Sequence, residues 1–422
     1  MSRLEPAELP DDLLTPEAVA DPDGAAAVLR AHDPVHWSPT HRAWLVTRFD
    51  DVVAAFKNPA LSSDRVRPLM SARDKPSGDA SQKMLGLISE WMVVTDPPAH
   101  TRLRRLAGAA FKQQQIAAME ERIQTLVDDL VDTFLASSSP ARPTDLVAGV
   151  AYPLPAIVIA EMLGAPPEDR DRFRSWSDEL ALVAFGAGGD ARPDRHERAL
   201  RGLEEMAEYF RALVAHRRRE PGGDMLSAMI SGDDPSDGSG LSDDELVGMC
   251  ALLLFAGHET TTNAIANAVR LLTADPELRD RVRDDPALVA PAVEEALRLV
   301  GPIKVLVRWV IEDHELRGRT IQAGERVYLV LCGANRDPER FADPDTVDLA
   351  RSRATHIAFG RGVHACIGAQ LARIETRIAV GTLLRRLPGL RVEGEPEYLP
   401  TIASRAQTSL PVVHDGVPAS RP

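Results

Sequence analysis

Ten residues near one end of the chain carry its densest chemical signal: Phe359-Gly360-Arg361-Gly362-Val363-His364-Ala365-Cys366-Ile367-Gly368. Cys366 sits just before a helix that continues through Leu371, Ala372, Arg373 and Glu375. The free N–H groups and dipole of a helix start favour a thiolate there. Glycines at 360, 362 and 368 let the backbone approach something flat and large. A lone thiolate held in this way is an axial ligand for haem iron. The competing reading is a buried structural cysteine, the commonest fate of the residue, and the glycine setting weighs against it. Gly360-x-Gly362-x-x-Ala365 also matches a loose dinucleotide fingerprint. It starts about 60 residues from the end of the sequence, too late for a complete nucleotide-binding sheet.

Three further constellations could do chemistry. Glu295-x-x-Arg298 places an acid and a base on one helix face, where they can pair. Such pairs are abundant on solvated helices, so the spacing alone says little. Asp96 to Arg105 opens a helix in which His100 and Arg104, four apart, share a face suited to carboxylates. A basic face in water is the alternative. The third is Gly257-His258-Glu259-Thr260-Thr261, which interrupts an apolar run. A glycine, a carboxylate and two hydroxyls inside a buried helix are costly unless used.

Helices must position these groups. Periodicity predicts them over 115–135, 153–163, 195–219, 242–274, 286–299 and 368–387. Ser242 and Glu245 form an S-x-x-E capping box before the longest of them. Short strands are predicted at 35–36, 43–47, 306–311, 315–316 and 326–330, with a strand, turn and strand over 313–324. Breakers include the polar gap 232–240 and the glycine-rich stretch 186–190, which suggests a flexible lid. No internal repeat or domain linker stands out. The prediction is one mainly α domain over 1–422 with a small β subregion and peripheral ends at 1–20 and 413–422. The chain has 422 residues, is 44% hydrophobic and 27% charged, and carries a net charge of −14. That balance disfavours nucleic-acid binding. Three cysteines are too few for a disulfide framework, so Cys250 and Cys332 are expected to be packing residues in a reduced, cytoplasmic protein. The longest apolar run, twelve residues over 246–257, is too short to span a membrane, and no signal peptide is expected.

Taken together, these segments resemble the cytochrome P450 family, in particular the soluble bacterial, actinobacterial-type monooxygenases. The signature F-G-x-G-x-H-x-C-x-G is matched at every fixed position from Phe359 to Gly368. The resemblance implies the family's triangular, helix-rich prism with a long central helix over the haem. It implies haem b with the Cys366 thiolate as axial ligand and Phe359 shielding the sulfur. Phe359, Gly360 and Gly368 would form the haem-binding loop. His100, Arg104, Arg308 and His364 would hold the haem propionates. Glu295 and Arg298, with Arg351 as third partner, would support the haem-binding loop. Pro338-Glu339-Arg340-Phe341 spells another family motif but is treated as a lookalike.

By the same resemblance, Gly257, Glu259 and Thr260 serve dioxygen activation: Gly257 widens the helix, Thr260 hydrogen-bonds and Glu259 relays protons. Electrons are implied to come from a ferredoxin and its reductase. These would dock on a basic patch of Arg102, Arg105, Lys112, Arg361, Arg373 and Arg377. The substrate pocket is expected from 61–91, 173–189, 252–255, 303–307 and 401–404, including Trp91, Val183, Phe255, Ile303, Leu306 and Ile402. Its apolar lining calls for a hydrophobic small molecule, and the resemblance implies that a monomeric enzyme hydroxylates or epoxidises it in secondary metabolism. Lys304, one of five lysines, is a candidate for an anionic substrate group. A peroxide-driven haem enzyme and a non-catalytic haem-binding protein are the alternatives.

Overall fold

The computed structural model describes residues 9–71, 79–108, 111–138, 142–184, 194–231, 240–351 and 356–416. The suggested lid at 186–190 and all but Gly240 of the polar gap 232–240 lie outside the described residues. Seven helices matter for the site: α1 (Ala99–Gly108), α2 (Glu120–Ser137), α3 (Pro153–Met162), α4 (Arg195–Arg219), α5 (Asp243–Thr273), α6 (Val289–Val300) and α7 (Ala369–Arg386). At 1.5 Å per residue α5 is about 45 Å long. It packs against α3, α4, α6 and α7. Residues from Leu246 to Leu272 put it through the middle of the largest apolar core.

The start of α5 is fixed as its sequence requires. The Ser242 hydroxyl accepts from the Glu245 N–H at 3.2 Å, and the Glu245 carboxylate accepts from the Ser242 N–H at 2.9 Å. Arg102 ties α1 to this corner through Glu245 and the Gly240 carbonyl. The predicted helix over 115–135 is broken: Gln113–Ala118 and α2 are separate, with Met119 between them. The predicted helix over 286–299 begins as a 3₁₀ turn, Pro286–Leu288, before α6.

A five-stranded sheet flanks the helices. Its strands are β1 (Val35–Ser38), β2 (Ala43–Val46), β3 (Leu61–Ser62), β4 (Val305–Val310) and β5 (Arg326–Val330), in the order β1-β2-β5-β4-β3. Only β2 and β5 pair in parallel, with Trp44 opposite Val327 and Val46 opposite Leu329. Both faces are covered: Val327 and Leu329 enter one apolar cluster, Tyr328 and Val330 another. That is the period-2 alternation of a strand. The ends are less peripheral than expected. The Leu13 N–H donates to His41 Nε2 at 2.9 Å, Val413 pairs with Arg391, and buried His414 bonds Ser138 at 3.1 Å. Those short contacts hold residues that composition alone marked as tails. Among the described residues, no helix is long and apolar enough to cross a membrane.

Candidate active site

A cavity of ≈ 250 Å³ lies between α5 and the 358–368 loop. From α5 it receives Leu252, Leu253, Ala256, Gly257, Thr260, Thr261 and Ala264. This is the i, i+1, i+4, i+5 stripe of a single helical face. The Thr260 hydroxyl donates to the Ala256 carbonyl at 2.7 Å. Its lone pairs are therefore left as acceptors towards the cavity. Gly257 lines the cavity too, but α5 runs through it as continuous α-helix. A Cβ there would make only ordinary contact with Ile159, at 3.5 Å.

Glu259 falls off the stripe and does not line the cavity. Its carboxylate accepts from Asn263 Nδ2 at 3.1 Å, and burial raises its pKa to about 7, with Asp178 adding to the rise. Around it, Tyr152 donates to Asp178 at 2.7 Å, and the His258 Nε2 bonds the Tyr152 carbonyl at 3.2 Å. A buried acid that titrates near neutrality can give and take protons beside the cavity rather than inside it.

The opposite wall is irregular backbone. The Cys366 N–H donates to the Phe359 carbonyl at 2.9 Å, and the Ala365 N–H to Gly362 at 3.1 Å. Gly360 and Gly362 sit at φ 66° and 74°, where a side chain is strained. A Cβ on Gly362 would also meet the Phe56 carbonyl oxygen at 2.9 Å. Gly368 needs no such freedom: its φ is −85° and a Cβ would find its nearest neighbour 3.9 Å away. Cys366 is exposed only in the sense that its surface lines the cavity. Burial raises its thiol pKa, against the Gly368 N–H, Arg104 and Arg373, which favour the thiolate. The helix start alone therefore does not ionise this thiol, and a bound metal cation would. Cys250 and Cys332 are buried packing residues, as expected.

One edge of the cavity is cationic. His100, Arg104 and His364 line it. The two imidazoles stand 3.9 Å apart. Both ring nitrogens of His100 and Nε2 of His364 are buried without a hydrogen-bond partner among the described residues. Burial, then His100, Arg308, Arg104 and Arg65, pushes the His364 pKa down to about 3. Arg308 lies behind this edge rather than on it. It is buried, stacks over Phe56 at 5.6 Å and, among the described residues, donates only to the Val307 carbonyl. Burial and Arg65 push its pKa down to about 10. The nearby carboxylate, Asp96, is engaged by Ser62 and Ser63. Arginine charge held beside imidazoles that burial keeps neutral favours a further anion at this edge. An apolar slot with a thiol on one wall and unpaired donors at one edge fits a flat apolar group that bears carboxylates. Haem has that chemistry.

Glu295 and Arg298 form a buried bidentate pair at 2.8 Å and 2.8 Å. Arg351 reaches Glu295 at 3.3 Å, completing the triad. Arg298 and Arg351 donate to the carbonyls of Asn335, Ala342, Pro344 and Thr346. The triad thus fixes the 335–348 segment directly and, among the described residues, reaches the loop that carries Cys366 through Asn335, whose side chain accepts from the Ile357 N–H at 2.9 Å. Arg340 stays outside it, over Phe49, so the Pro338–Phe341 motif contributes Phe341 as the ring beneath Arg298 and nothing to the ion pairs.

The pocket expectations divide. Ile303 and Leu306 line the cavity. Trp91 and Phe255 instead pack on each other in the core, 6.3 Å between centroids, because Phe255 lies off the α5 stripe. Val183 packs against the same core, and Ile402 against the cluster beneath the sheet. Lys304 is corrected outright. It is 5% exposed, its Nζ donates to the Thr401 carbonyl at 2.8 Å, and burial lowers its pKa to about 8. It does not line the cavity, and the groups that act on its charge are Cys332, Arg405 and Asp23. The basic patch is thinner than expected: Arg102, Arg373 and Arg377 are paired with Glu245, Glu294 and Glu120, while Arg105 and Lys112 are exposed.

Two contributions had not been assigned from the sequence. Arg65 has no motif to announce it. Glu375 lines the cavity with one carboxylate oxygen unpartnered among the described residues and its pKa raised to about 8 by burial. The i, i+3, i+4, i+7 spacing of Gly368, Leu371, Ala372 and Glu375 was the readable signal.

Comparison with known proteins agrees with this geometry. The family model for cytochrome P450 matches residues 63–397. The cytochrome P450 monooxygenase PikC of Streptomyces venezuelae is 39% identical over 403 residues, 93% of this chain and 91% of that protein. Mycinamicin IV hydroxylase/epoxidase of Micromonospora griseorubida is 40% identical, covering 88% of this chain and 89% of that one. Among solved structures, P450BioI in complex with hexadec-9Z-enoic acid ligated acyl carrier protein superposes with a TM-score of 0.85. It shares 32% identity, over 94% of this chain and 100% of that one.

Proposed function

Because the chain belongs to the cytochrome P450 family, and is thus an oxidoreductase that uses haem b and dioxygen, we propose that its substrate is a largely hydrophobic small molecule and that Cys366 is the axial haem ligand. When bound, the haem supplies dioxygen activation and oxygen insertion. The chain's residues supply the rest. His100, Arg104 and His364 hold the two carboxylates, with Arg308 and Arg65 behind them. The Thr260 hydroxyl, anchored on the Ala256 carbonyl, presents an acceptor to the cavity. Glu259 delivers protons from the buried network behind it. The apolar lining from Leu252, Ile303 and Leu306 selects and orients the substrate.

The observation that carries this reading is the placement of Cys366 across the cavity from Thr260, with unpaired histidines at the edge between them. A hydrophobic substrate is supported by that lining and by the relatives, one named for mycinamicin IV and one solved with hexadec-9Z-enoic acid on an acyl carrier protein. Electrons come from a ferredoxin and its reductase, docked near Arg105 and Lys112. Turnover that falls with salt supports that docking, and salt-insensitive turnover removes it. We read 1–422 as one haem domain, a reading supported by the family match over 63–397.

The test is the carbon monoxide difference spectrum of the haem-loaded protein with a spectral substrate screen. Cys366→Ala must lose the thiolate band. A band that survives the substitution overturns the assignment.

A further inference from the structure

Beside the Glu295–Arg298 triad stands a second cluster that no motif announces. Glu294, 7% exposed on α6, is the next residue to Glu295 and turns the other way. Its carboxylate accepts from Arg373 Nε at 2.6 Å and Nη2 at 3.1 Å, a bidentate fork. It also bonds His356 Nε2 at 3.0 Å. The tautomer of His356 is set by its other nitrogen. The Ala358 N–H donates to Nδ1 at 3.2 Å, so Nδ1 is the acceptor and Nε2 carries the proton given to Glu294. His356 and Arg373 thus reach Glu294 from the two ends of the haem-binding loop, ten residues before Cys366 and seven after it.

The cluster ends on Phe359. The Arg373 guanidinium lies over its ring, 4.3 Å from the centroid, and the His356 ring is 6.3 Å away. The Phe359 carbonyl in turn receives the Cys366 N–H at 2.9 Å. Arg373 is geometrically suited to this, since only a planar fork can grip a carboxylate and stack on a ring at once.

We propose that Glu294, Arg373 and His356 are positioning residues that set the Phe359 ring, and through it the backbone and solvent shielding of Cys366. This rests on the reading of Cys366 as haem ligand. Releasing the ring lets water reach the sulfur side of the cavity. Water stabilises the added negative charge of the reduced state, so the reduction potential rises.

The experiment measures the haem reduction potential of the loaded protein in a double-variant cycle of Arg373→Lys and Phe359→Leu. Lysine keeps the charge and loses the fork, so charge loss cannot cause a shift. The expected result is a rise in each single variant of about tenfold in the reduced-to-oxidised ratio at fixed potential, ~59 mV for one electron. In the Phe359→Leu background, Arg373→Lys must then add nothing, because it acts through that ring. An unchanged potential in Arg373→Lys, or additive shifts, overturns the proposal. Should Arg373→Lys bind haem poorly, Glu294→Gln enters the same cycle and must likewise lose most of its effect without Phe359. The carbon monoxide spectrum of the unsubstituted protein separates the two readings. If it lacks the thiolate band, the ligand assignment falls. If the band is present and Arg373→Lys leaves the potential unchanged, only the positioning role falls.

Discussion

The two walls of the cavity are built by opposite means. The α5 wall is one regular helix, held by its own hydrogen bonds and by packing along its length, and its cavity-facing residues recur at helical spacing. The 358–368 wall is irregular backbone, with glycines at φ 66° and 74°, supports across 62 and 79 residues of sequence and a further one through a second loop. A helix wall can lose a side chain and keep its shape. A loop wall cannot lose a strut without moving.

Substitutions test that contrast, beginning with the largest effect. Arg298→Leu removes the bidentate partner of buried Glu295, leaving it to Arg351 and the Asp348 N–H, and strips the carbonyls of Asn335, Pro344 and Thr346 of their donor. Such a loss costs roughly 3–5 kcal/mol, a large share of the about 5–15 kcal/mol that a folded protein has in total. Denaturant unfolding should show it, and a loss under 1 kcal/mol would break the contrast.

Glu259→Gln should act on the helix wall with a pH signature instead. Folding raises the Glu259 pKa from 4.5 to about 7, so the folded state holds its proton more tightly than the unfolded chain does. The native protein then loses stability as pH rises from 4.5 to 7, by up to about 3 kcal/mol at 1.36 kcal/mol per unit. Glutamine has no such loss. The variant should match the parent at pH 4 and exceed it at pH 8, and parallel unfolding curves at the two pH values would remove the role of burial.

Thr260→Ala should leave folding within about 1 kcal/mol and substrate-induced spectral shifts intact, while diverting reducing equivalents to peroxide several-fold. Tight coupling in that variant would show that the hydroxyl plays no part. The smallest effect is expected of Lys304→Met, because Lys304 belongs to neither wall. Substrate affinity should change less than about twofold, and a larger loss would return Lys304 to the site.

The same contrast explains what the chain's sequence disclosed. Helix 195–219 and the start of α5 were legible because local chemistry sets them, and the Ser242–Glu245 box forms as written. The signature around Cys366 was legible because glycine and cysteine positions are conformationally specific. The break at Met119 was not, since nothing in 115–135 punctuates it. Lys304 misled because its partner, the Thr401 carbonyl, lies 97 residues on. Glu294 was hidden for a like reason. Its partners are 62 and 79 residues away, and adjacent acids on a helix give no hint that one faces the triad and the other the loop.

The walls also impose an order of events. The cavity draws on residues from Met92 to Glu375 of 422, and the sheet beside it closes only when β5, at 326–330, reaches β2, at 43–46. A chain emerging from its N-terminus therefore exposes the cationic edge of His100 and Arg104 long before Cys366 exists to face it. Capture of the prosthetic group accordingly waits until the chain has been made as far as Glu375.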